Sequence, residues 1–200
     1  MSERSINFLQ VKNLRQQQAA AQRDHLVDTA LELFAQKGYD ATSIKQISTA
    51  AGVAAGLLYH YFPSKSEVLR AVWERHSFLP ELRALLEVEH EQEAAYVLRH
   101  IADSFSAMLD RKEPLFRLMV RESQSNPEVA DCLQAIVGEG VKALAAYLET
   151  RIQFGELRSH DTTLTARMLL GTVFTTHVAR LPNRSWETLV DQLLHGISAQ

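Results

Sequence analysis

The sequence predicts an all-α protein, with a small helical domain at the amino end followed by a larger helical domain. Apolar residues recur every three or four positions along most of the chain, which is the period of an amphipathic helix. Capping residues precede many of these patterns, and glycine or proline follows several of them. No stretch combines alternating apolar and polar residues with the flanking turns of a strand. We therefore expect helices throughout.

The first amphipathic pattern runs from Gln22 to Lys37 and has a wide apolar stripe. Gly38 follows it, at the position where a chain leaving a helix often needs a positive φ. Residues 1–21 precede this helix as an amino-terminal extension with basic residues and a thin apolar face. Two interpretations of the extension stay open: a frayed tail, or a basic arm or added helix that reaches DNA near the main contact.

Two short helical patterns then flank Ala51, Gly52 and Val53. Glycine suits a tight turn between helices because it reaches positive φ without a steric cost. Two short helices joined in this way are typical of the helix-turn-helix, whose second helix enters a DNA major groove. An ordinary helical hairpin fits the spacing equally well. Ser43 and Gln46 match a capping box at the start of the first short helix.

Pro63 prevents the second short helix from continuing. Ser64 to Glu67 form another capping-box pattern, which opens a helix running through Trp73. Pro80 interrupts that pattern, so we place a domain boundary near Ser77. The sequence thus predicts domains at 22–77 and 78–200, with a helix shared between them because no flexible linker separates them.

The second domain shows a succession of further helical patterns. Asn126 and Pro127 match the N-cap and first position of a long helix that Gly155 ends. Asp161 and Ser185 are N-cap candidates for the last two helices.

Composition narrows the possible classes of protein. The chain has 200 residues, of which 46% are hydrophobic, and its single cysteine, Cys132, cannot form an internal disulfide. No apolar run is long enough to cross a bilayer, and the amino terminus does not match a secretory signal. We expect a cytoplasmic protein without membrane contact. Residues 1–75 carry nine basic and seven acidic residues, whereas the net charge of the whole chain is −3.

The residues around the turn also resemble a known family. The run from Gly52 to Lys65 has the pattern G-V-x-x-G-x-L-Y-x-Y-F-x-S-K, and residues 30–44 are ALELFAQKGYDATSI. Both are similar to the DNA-binding region of the TetR/AcrR family of transcriptional regulators, over roughly Arg23 to Trp73. The resemblance implies a three-helix DNA-binding domain, a ligand-binding and dimerisation domain after it, and a four-helix dimer interface.

Eleven residues are candidates for DNA contact. Helix starts at Thr42–Ser43 and Ser64–Lys65 offer backbone N–H groups and hydroxyls to phosphates. By the resemblance, Tyr59 and Tyr61 face DNA while Leu58 and Phe62 point inward, although either tyrosine also suits a core. Three positions depart from the family pattern, since 54, 55 and 57 are apolar and favour thymine methyl groups over hydrogen bonds. The full set is Thr42, Ser43, Lys45, Ala54, Ala55, Gly56, Leu57, Tyr59, His60, Tyr61 and Lys65.

The second domain has candidates for an effector pocket and a dimer surface. Pockets between helices are mostly apolar with a few polar groups, although the same residues also make ordinary core. The last two helices are apolar enough to pair with a second copy, so we expect a homodimer with a small-molecule effector and a palindromic double-stranded DNA operator as partners. The pocket candidates are His100, Phe105, Met108, Phe116, Met119, Phe174 and His177.

No catalytic residue, metal site or cofactor is predicted. The eight histidines never pair in a metal-binding spacing, and no glycine-rich phosphate loop or nucleophile motif is present. The favoured hypothesis is a ligand-responsive regulator that acts as a repressor. Two alternatives stay open: a helical adaptor with a vestigial helix-turn-helix, and an all-α enzyme using histidines and acids.

Overall fold

The structure is a computed structural model that describes residues 3–88, 92–182 and 185–196; for residues 3–13 and 114 it describes the backbone only. Every regular element in these ranges is an α-helix. The helices are α1 Glu3–Lys37, α2 Ile44–Ala50, α3 Ala55–Tyr61, α4 Lys65–His76, α5 Leu79–Val88, α6 Ala94–Arg111, α7 Glu113–Ser123, α8 Pro127–Gln153, α9 Thr162–Val178 and α10 Trp186–His195.

The chain divides into two compact units, residues 1–75 and 76–200. The first unit contains α1 to α3 and almost all of α4. Its core is built from one apolar face of each helix, because each short helix is stable only when that face is covered. The fully buried side chains include Leu26, Ala30, Phe34, Tyr39, Ile47, Leu58, Leu69 and Trp73.

The end of α4 is tied to α1 by an arginine on the surface of the first unit. Arg75 donates from Nε to Asp28 Oδ1 at 2.9 Å, and its Nη1 lies 2.8 Å from Asp24 Oδ2. The hydrogen bond to Asp28 is the main cause that raises the pKa of Arg75 above its ordinary value. This contact links the end of α4 to α1 at the surface of the first unit.

The second unit is a helical bundle around α6, α8 and α9. Helix α8 packs against α9, α7 and α5, while α6 packs against α9 and α10. Arg151 near the end of α8 is buried, donates to Glu156 Oε2 at 3.0 Å and to the Gln92 carbonyl, and lies 4.9 Å from the Tyr147 ring. A buried guanidinium is tolerated here because its charge is paired and hydrogen-bonded.

Helix α1 is much longer than the sequence analysis predicted. The predicted start was Gln22, but the helix begins at Glu3 and continues without interruption to Lys37. Leucine, glutamine, alanine and arginine between these positions all have high helix propensity, so nothing local stops the helix. The extension at 1–21 is therefore helical from Glu3 onward and is not a frayed tail.

Local capping predictions are confirmed. Ser43 and Gln46 form the reciprocal capping box of α2, and the side chains of Asn126, Asp161 and Ser185 accept backbone N–H bonds at the starts of α8, α9 and α10. Gly38 and Gly52 adopt φ of 87° and 69°, as their turns require. Across the described residues, none of the helices is both long and apolar enough for a bilayer crossing.

Candidate nucleic-acid interface

The helix-turn-helix predicted from the sequence is present as α2, a turn at Ala51–Ala54, and α3. The Val53 amide donates to the Ser48 carbonyl at 2.9 Å and the Gly52 amide to the Thr49 carbonyl at 3.1 Å, which closes the end of α2. The positive φ of Gly52 then turns the chain into α3. These backbone bonds order the turn between the two helices.

Helix α3 buries one side and exposes the other. Leu58 has no exposed surface and Phe62, just after the helix, is 3% exposed, so both point inward as predicted. Tyr59 is 54% exposed and His60 is exposed next to it. Tyr61 is half-buried, with its ring 5.5 Å from that of His60 in an edge-on arrangement.

The first turn of α3 is small and apolar. Ala54 is the N-cap and makes no side-chain capping bond, while Gly56 and Leu57 are exposed and Ala55 is half-buried. The first amides of a helix have no partner inside it. No side chain caps this end of α3.

Thr42 is a correction to the predicted site. Its side chain is 1% exposed, and its hydroxyl donates to the Gly38 carbonyl at 2.8 Å, so it does not face a phosphate. The carbonyl of Gly38, just after the end of α1, thus gives the hydroxyl a hydrogen-bond acceptor inside the domain. Ser43 and Lys45 are exposed, but the Ser43 hydroxyl and amide are both engaged by Gln46.

Lys65 lies at the start of α4 and is half-buried. Its Nζ donates to the Tyr39 carbonyl at 3.0 Å and sits 4.1 Å from the centroid of the Tyr39 ring. An ammonium group has three donors, so further donors remain for a phosphate. Ser64 caps this helix by accepting the Glu67 amide at 3.2 Å.

Two residues of α1 reach the helix-turn-helix and were not predicted to do so. Arg23 places its guanidinium carbon 5.2 Å from the Phe62 ring centroid, and His25 Nε2 lies 3.3 Å from the Ala51 carbonyl oxygen. Both contacts join residues far apart in the sequence, and no local pattern indicates them.

The seven predicted pocket residues lie on α6, α7 and α9, and α6 packs against both of the other helices. Met108, Phe116, Met119 and His177 are buried, whereas the other three, His100, Phe105 and Phe174, are half-buried. Phe105 stacks on Phe78 with centroids 4.8 Å apart, so it serves the core in this structure.

His177 is the buried polar group of this set. Its Nδ1 lies 3.0 Å from Asp110 Oδ1, an ion pair if the imidazole is protonated. A shallow depression of about 360 Å³ lies elsewhere, on α10, and is lined by Thr188, Asp191, Gln192, His195 and Gly196. It includes none of the predicted pocket residues. Across the part of the chain that the structure describes, no three His, Cys, Asp or Glu residues are grouped to hold a metal ion.

The two helices predicted to form a dimer surface differ in character. Helix α9 exposes Leu164, Met168 and Val178 at 53%, 48% and 49%. Helix α10 instead turns Trp186 and Val190 into its own unit. The side chains of α10 that line the depression are polar. Most of the exposed apolar surface on these two helices therefore belongs to α9.

The fold and the helix-turn-helix together indicate a DNA-binding transcriptional regulator. Residues 26–72 match the model of the bacterial regulatory proteins of the tetR family, and residues 96–185 match the model of the AefR-like transcriptional repressor C-terminal domain. The chain belongs to the TetR/AcrR family of transcriptional regulators.

Individual relatives agree with this assignment. The chain is 32% identical to the HTH-type transcriptional regulator AcrR of Shigella flexneri over 124 residues, which cover 60% of this chain and only 57% of that protein. It is similar to the structure of the regulator PfmR from Thermus thermophilus, with 27% identity, a TM-score of 0.60, and coverage of 89% and 98%. A SmeT–triclosan complex matches with 26% identity, a TM-score of 0.64, and coverage of 88% and 86%.

Proposed function

We propose that this chain is a ligand-responsive transcriptional repressor that binds a palindromic operator as a homodimer and releases it when a small, largely apolar effector binds. DNA binding, and not catalysis, is the activity. The observation that carries the proposal is the exposed face of α3. Leu58 anchors the opposite face of this helix in the core, and the capped starts of α2 and α4 lie before and after α3 in the chain.

We infer that α3 enters the major groove with its first turn against base edges. Ala54, Ala55, Gly56 and Leu57 have no hydrogen-bonding side chain, so they favour close approach and contact with thymine methyl groups. Tyr59 and His60 are the exposed polar side chains on the same helix, and we assign base contact to His60. Sequence preference at the remaining positions then comes from the shape and deformability of the DNA.

Phosphate contacts fall to the residues around α3. Tyr59 combines an exposed ring with a hydroxyl that can bond to a phosphate oxygen. Tyr61, Lys45, Lys65 and Ser43 of the same domain are the other proposed phosphate contacts, with Ser43 acting through its capped helix start. Such contacts fix orientation on the duplex and add affinity that depends on salt.

The dimer is proposed to form through the last two helices, with α9 supplying the apolar contact. Leu164, Met168, Gly171, Thr175 and Val178 follow one another at spacings of four and three residues, which places them on one face of the helix. Each is exposed. A face of this kind paired with its own copy gives the two-fold arrangement that a palindromic operator needs.

The effector is proposed to open the space between α6, α7 and α9, where the seven pocket residues already lie. Their side chains are mostly aromatic or thioether groups, and His177 with Asp110 offers a polar handle. An effector releases DNA only if it binds more tightly to the conformation that does not fit the operator. The SmeT complex with triclosan makes triclosan a suitable first probe.

Selection of bound fragments from random DNA tests the operator proposal. We expect a two-fold symmetric motif with half-sites separated by about one helical turn, roughly 34–36 Å, or a multiple of it. Recovery of no motif, or of a single asymmetric site bound by one protomer, would contradict the proposal.

Replacing Tyr59 by alanine tests the exposed face of α3. We expect operator affinity to fall by about tenfold, the cost of one good contact per half-site, with the oligomeric state unchanged. Tyr96→Ala is the matched control, because Tyr96 is 50% exposed on α6 in the other unit. Fluorescence anisotropy with the selected operator measures both; equal affinities for the two variants would argue against α3 as the contact.

A further inference from the structure

We propose that the amino-terminal half of α1 is a second DNA-binding surface, which contacts the phosphate backbone beside the site occupied by α3. The inference rests on the proposed function, since it assigns an additional contact to the same DNA complex. Three independent features of this segment support it: its charge, the side of the helix on which that charge lies, and the place where the segment joins the domain.

Residues 4–23 carry no acid. They contain Arg4, Lys12, Arg15 and Arg23, a net charge of +4 within a chain whose total is −3. The nearest acids are Glu3 and Asp24, on either side of the segment. Because charges are screened over about 8–10 Å in physiological salt, a locally basic segment attracts phosphates whatever the total charge of the protein.

These four positions share one side of the helix. Their spacings of eight, three and eight residues place them within an arc of about 100° at 3.6 residues per turn. The same geometry places Leu26, Ala30 and Phe34 on an overlapping arc, and those three side chains are buried in the core of the unit. The side of α1 that packs against the domain thus continues toward the amino end as a basic stripe.

The stripe starts at the helix-turn-helix itself. Arg23 lies over Phe62, directly after α3, and His25 approaches the turn at Ala51. Beyond this point the side chains of residues 14–21 are exposed, including Arg15. Residues 3–22 at about 1.5 Å per residue extend about 30 Å, close to one turn of duplex DNA. The segment therefore begins beside the major-groove element and has the length to reach neighbouring phosphates.

Nucleic acid fits this segment better than an anionic membrane does. A helix that lies on a membrane needs one broad apolar face. The apolar residues of this segment instead lie all around α1 by their spacing and form no single face: Ile6, Phe8, Leu9, Val11 and Leu14. The run Gln16–Gln18 adds amide groups of the kind that donate to phosphate oxygens.

A triple variant, Arg4→Ala, Lys12→Ala and Arg15→Ala, tests the proposal in the full chain. Alanine keeps the helix propensity, and Arg23 is left in place because it contacts Phe62. The matched control removes three exposed basic residues from the second unit, with Arg111→Ala, Arg121→Ala and Arg158→Ala. Both variants lose the same total charge. Circular dichroism checks that helicity is retained in each.

Binding is measured by anisotropy over a salt series on two duplexes. One holds only the selected operator, and the other adds about 15 base pairs on each side. We expect the wild-type protein and the control to prefer the extended duplex. The triple variant should lose that preference, bind it about tenfold more weakly, and show a salt slope lower by roughly one to three per protomer.

Equal affinity and slope for the wild type and the triple variant on the extended duplex would overturn this proposal alone, since binding to the short operator leaves the proposed function intact. If the triple variant binds the extended duplex like the wild type but loses binding to phosphatidylglycerol vesicles, the proposal is also overturned, in favour of a membrane surface. Failure of the wild-type protein to bind either duplex would overturn both proposals.

Discussion

Lys65 has two possible roles that a single substitution separates. Its ammonium group already serves Tyr39, through the carbonyl and through the ring, and we propose that it also binds a phosphate. Lys65→Ala should weaken binding to every DNA sequence alike and lower the salt slope by roughly one. The slope is measured by anisotropy on the selected operator and on an unrelated duplex.

Lys37→Ala is the control for Lys65, because Lys37 is exposed in the last turn of α1 and its replacement removes the same charge from the same domain. If Lys65→Ala lowers thermal stability but leaves the salt slope unchanged, its role is confined to holding Tyr39.

Glu113 gives a prediction that depends on pH. The hydrogen bond from Arg180, at 3.0 Å, is the main cause that lowers the pKa of Glu113 below its ordinary value, with Arg117 adding to it. We expect Arg180→Ala to raise that pKa toward normal, and Arg117→Ala to raise it less. Carboxyl chemical shifts followed through an acid titration measure it.

The sign of the effect on stability follows from the direction of the shift. A carboxylate whose pKa is lower in the folded state stabilises that state above its unfolded pKa, and loses the contribution as the pH falls through the folded pKa. Wild-type protein and Arg180→Ala should therefore converge in stability at acid pH. A constant difference at all pH values would show that the ion pair is not its source.

Residue-scale features were predictable where they depend on local chemistry. The inward side of α3 follows from helical spacing together with the family resemblance, and Leu58 and Phe62 are buried accordingly. Thr42 could not be placed in this way, because its hydroxyl is equally suited to a phosphate and to the Gly38 carbonyl that it actually meets. Whether the hydroxyl meets the Gly38 carbonyl depends on the path of the chain after α1, which is set by the tertiary fold.

Helix α8 contains two glycines with different surroundings. An alanine Cβ at Gly138 would meet no atom within 4 Å, whereas at Gly140 it would lie 3.9 Å from Leu82 and 4.0 Å from Leu170. Glycine in a helix interior costs about 1 kcal/mol relative to alanine. Gly138→Ala should therefore raise the free energy of unfolding by about 1 kcal/mol, measured by urea denaturation.

The same variant tests whether α8, in addition to the last two helices, takes part in the proposed dimer interface. If Gly138 packs closely against a second copy, the added methyl group weakens the dimer, and apparent stability falls as the protein is diluted. Independence from concentration would place Gly138 outside the interface. Gly140→Ala is the control, since its contacts lie within the unit.

At the scale of elements, helix starts were easier to predict than helix lengths. Ser43, Asn126, Asp161 and Ser185 cap helices because each satisfies amides two or three residues ahead, a local requirement. The predicted start of α1 at Gln22 has no such residue before it, since position 21 is alanine. Its upstream residues are good helix formers without a terminating signal, and the contact of Arg23 with Phe62 is set by the tertiary fold.

For the molecule as a whole, the proposed operator binding depends on assembly. Each protomer presents one α3, and the proposed palindromic site holds two half-sites, so the affinity of the proposed dimer combines two contacts through effective concentration. A lone protomer retains only one. Changes on α9, far along the chain from α3, should therefore affect DNA binding through the oligomeric state.

Met168→Glu tests this link directly. Met168 is 48% exposed and lies on the exposed face of α9 that runs from Leu164 to Val178. A carboxylate placed there would be buried without a partner in a dimer. We expect the variant to sediment as a monomer at micromolar concentration and to lose operator binding, while its helicity is unchanged. Thr163→Glu is the control, because position 163 is exposed about 140° around the same helix and lies in its first turn, where an acid is favourable. A Met168→Glu protein that remains dimeric would exclude α9 as the pairing face, and one that is monomeric yet binds the palindrome with full affinity would separate DNA recognition from assembly.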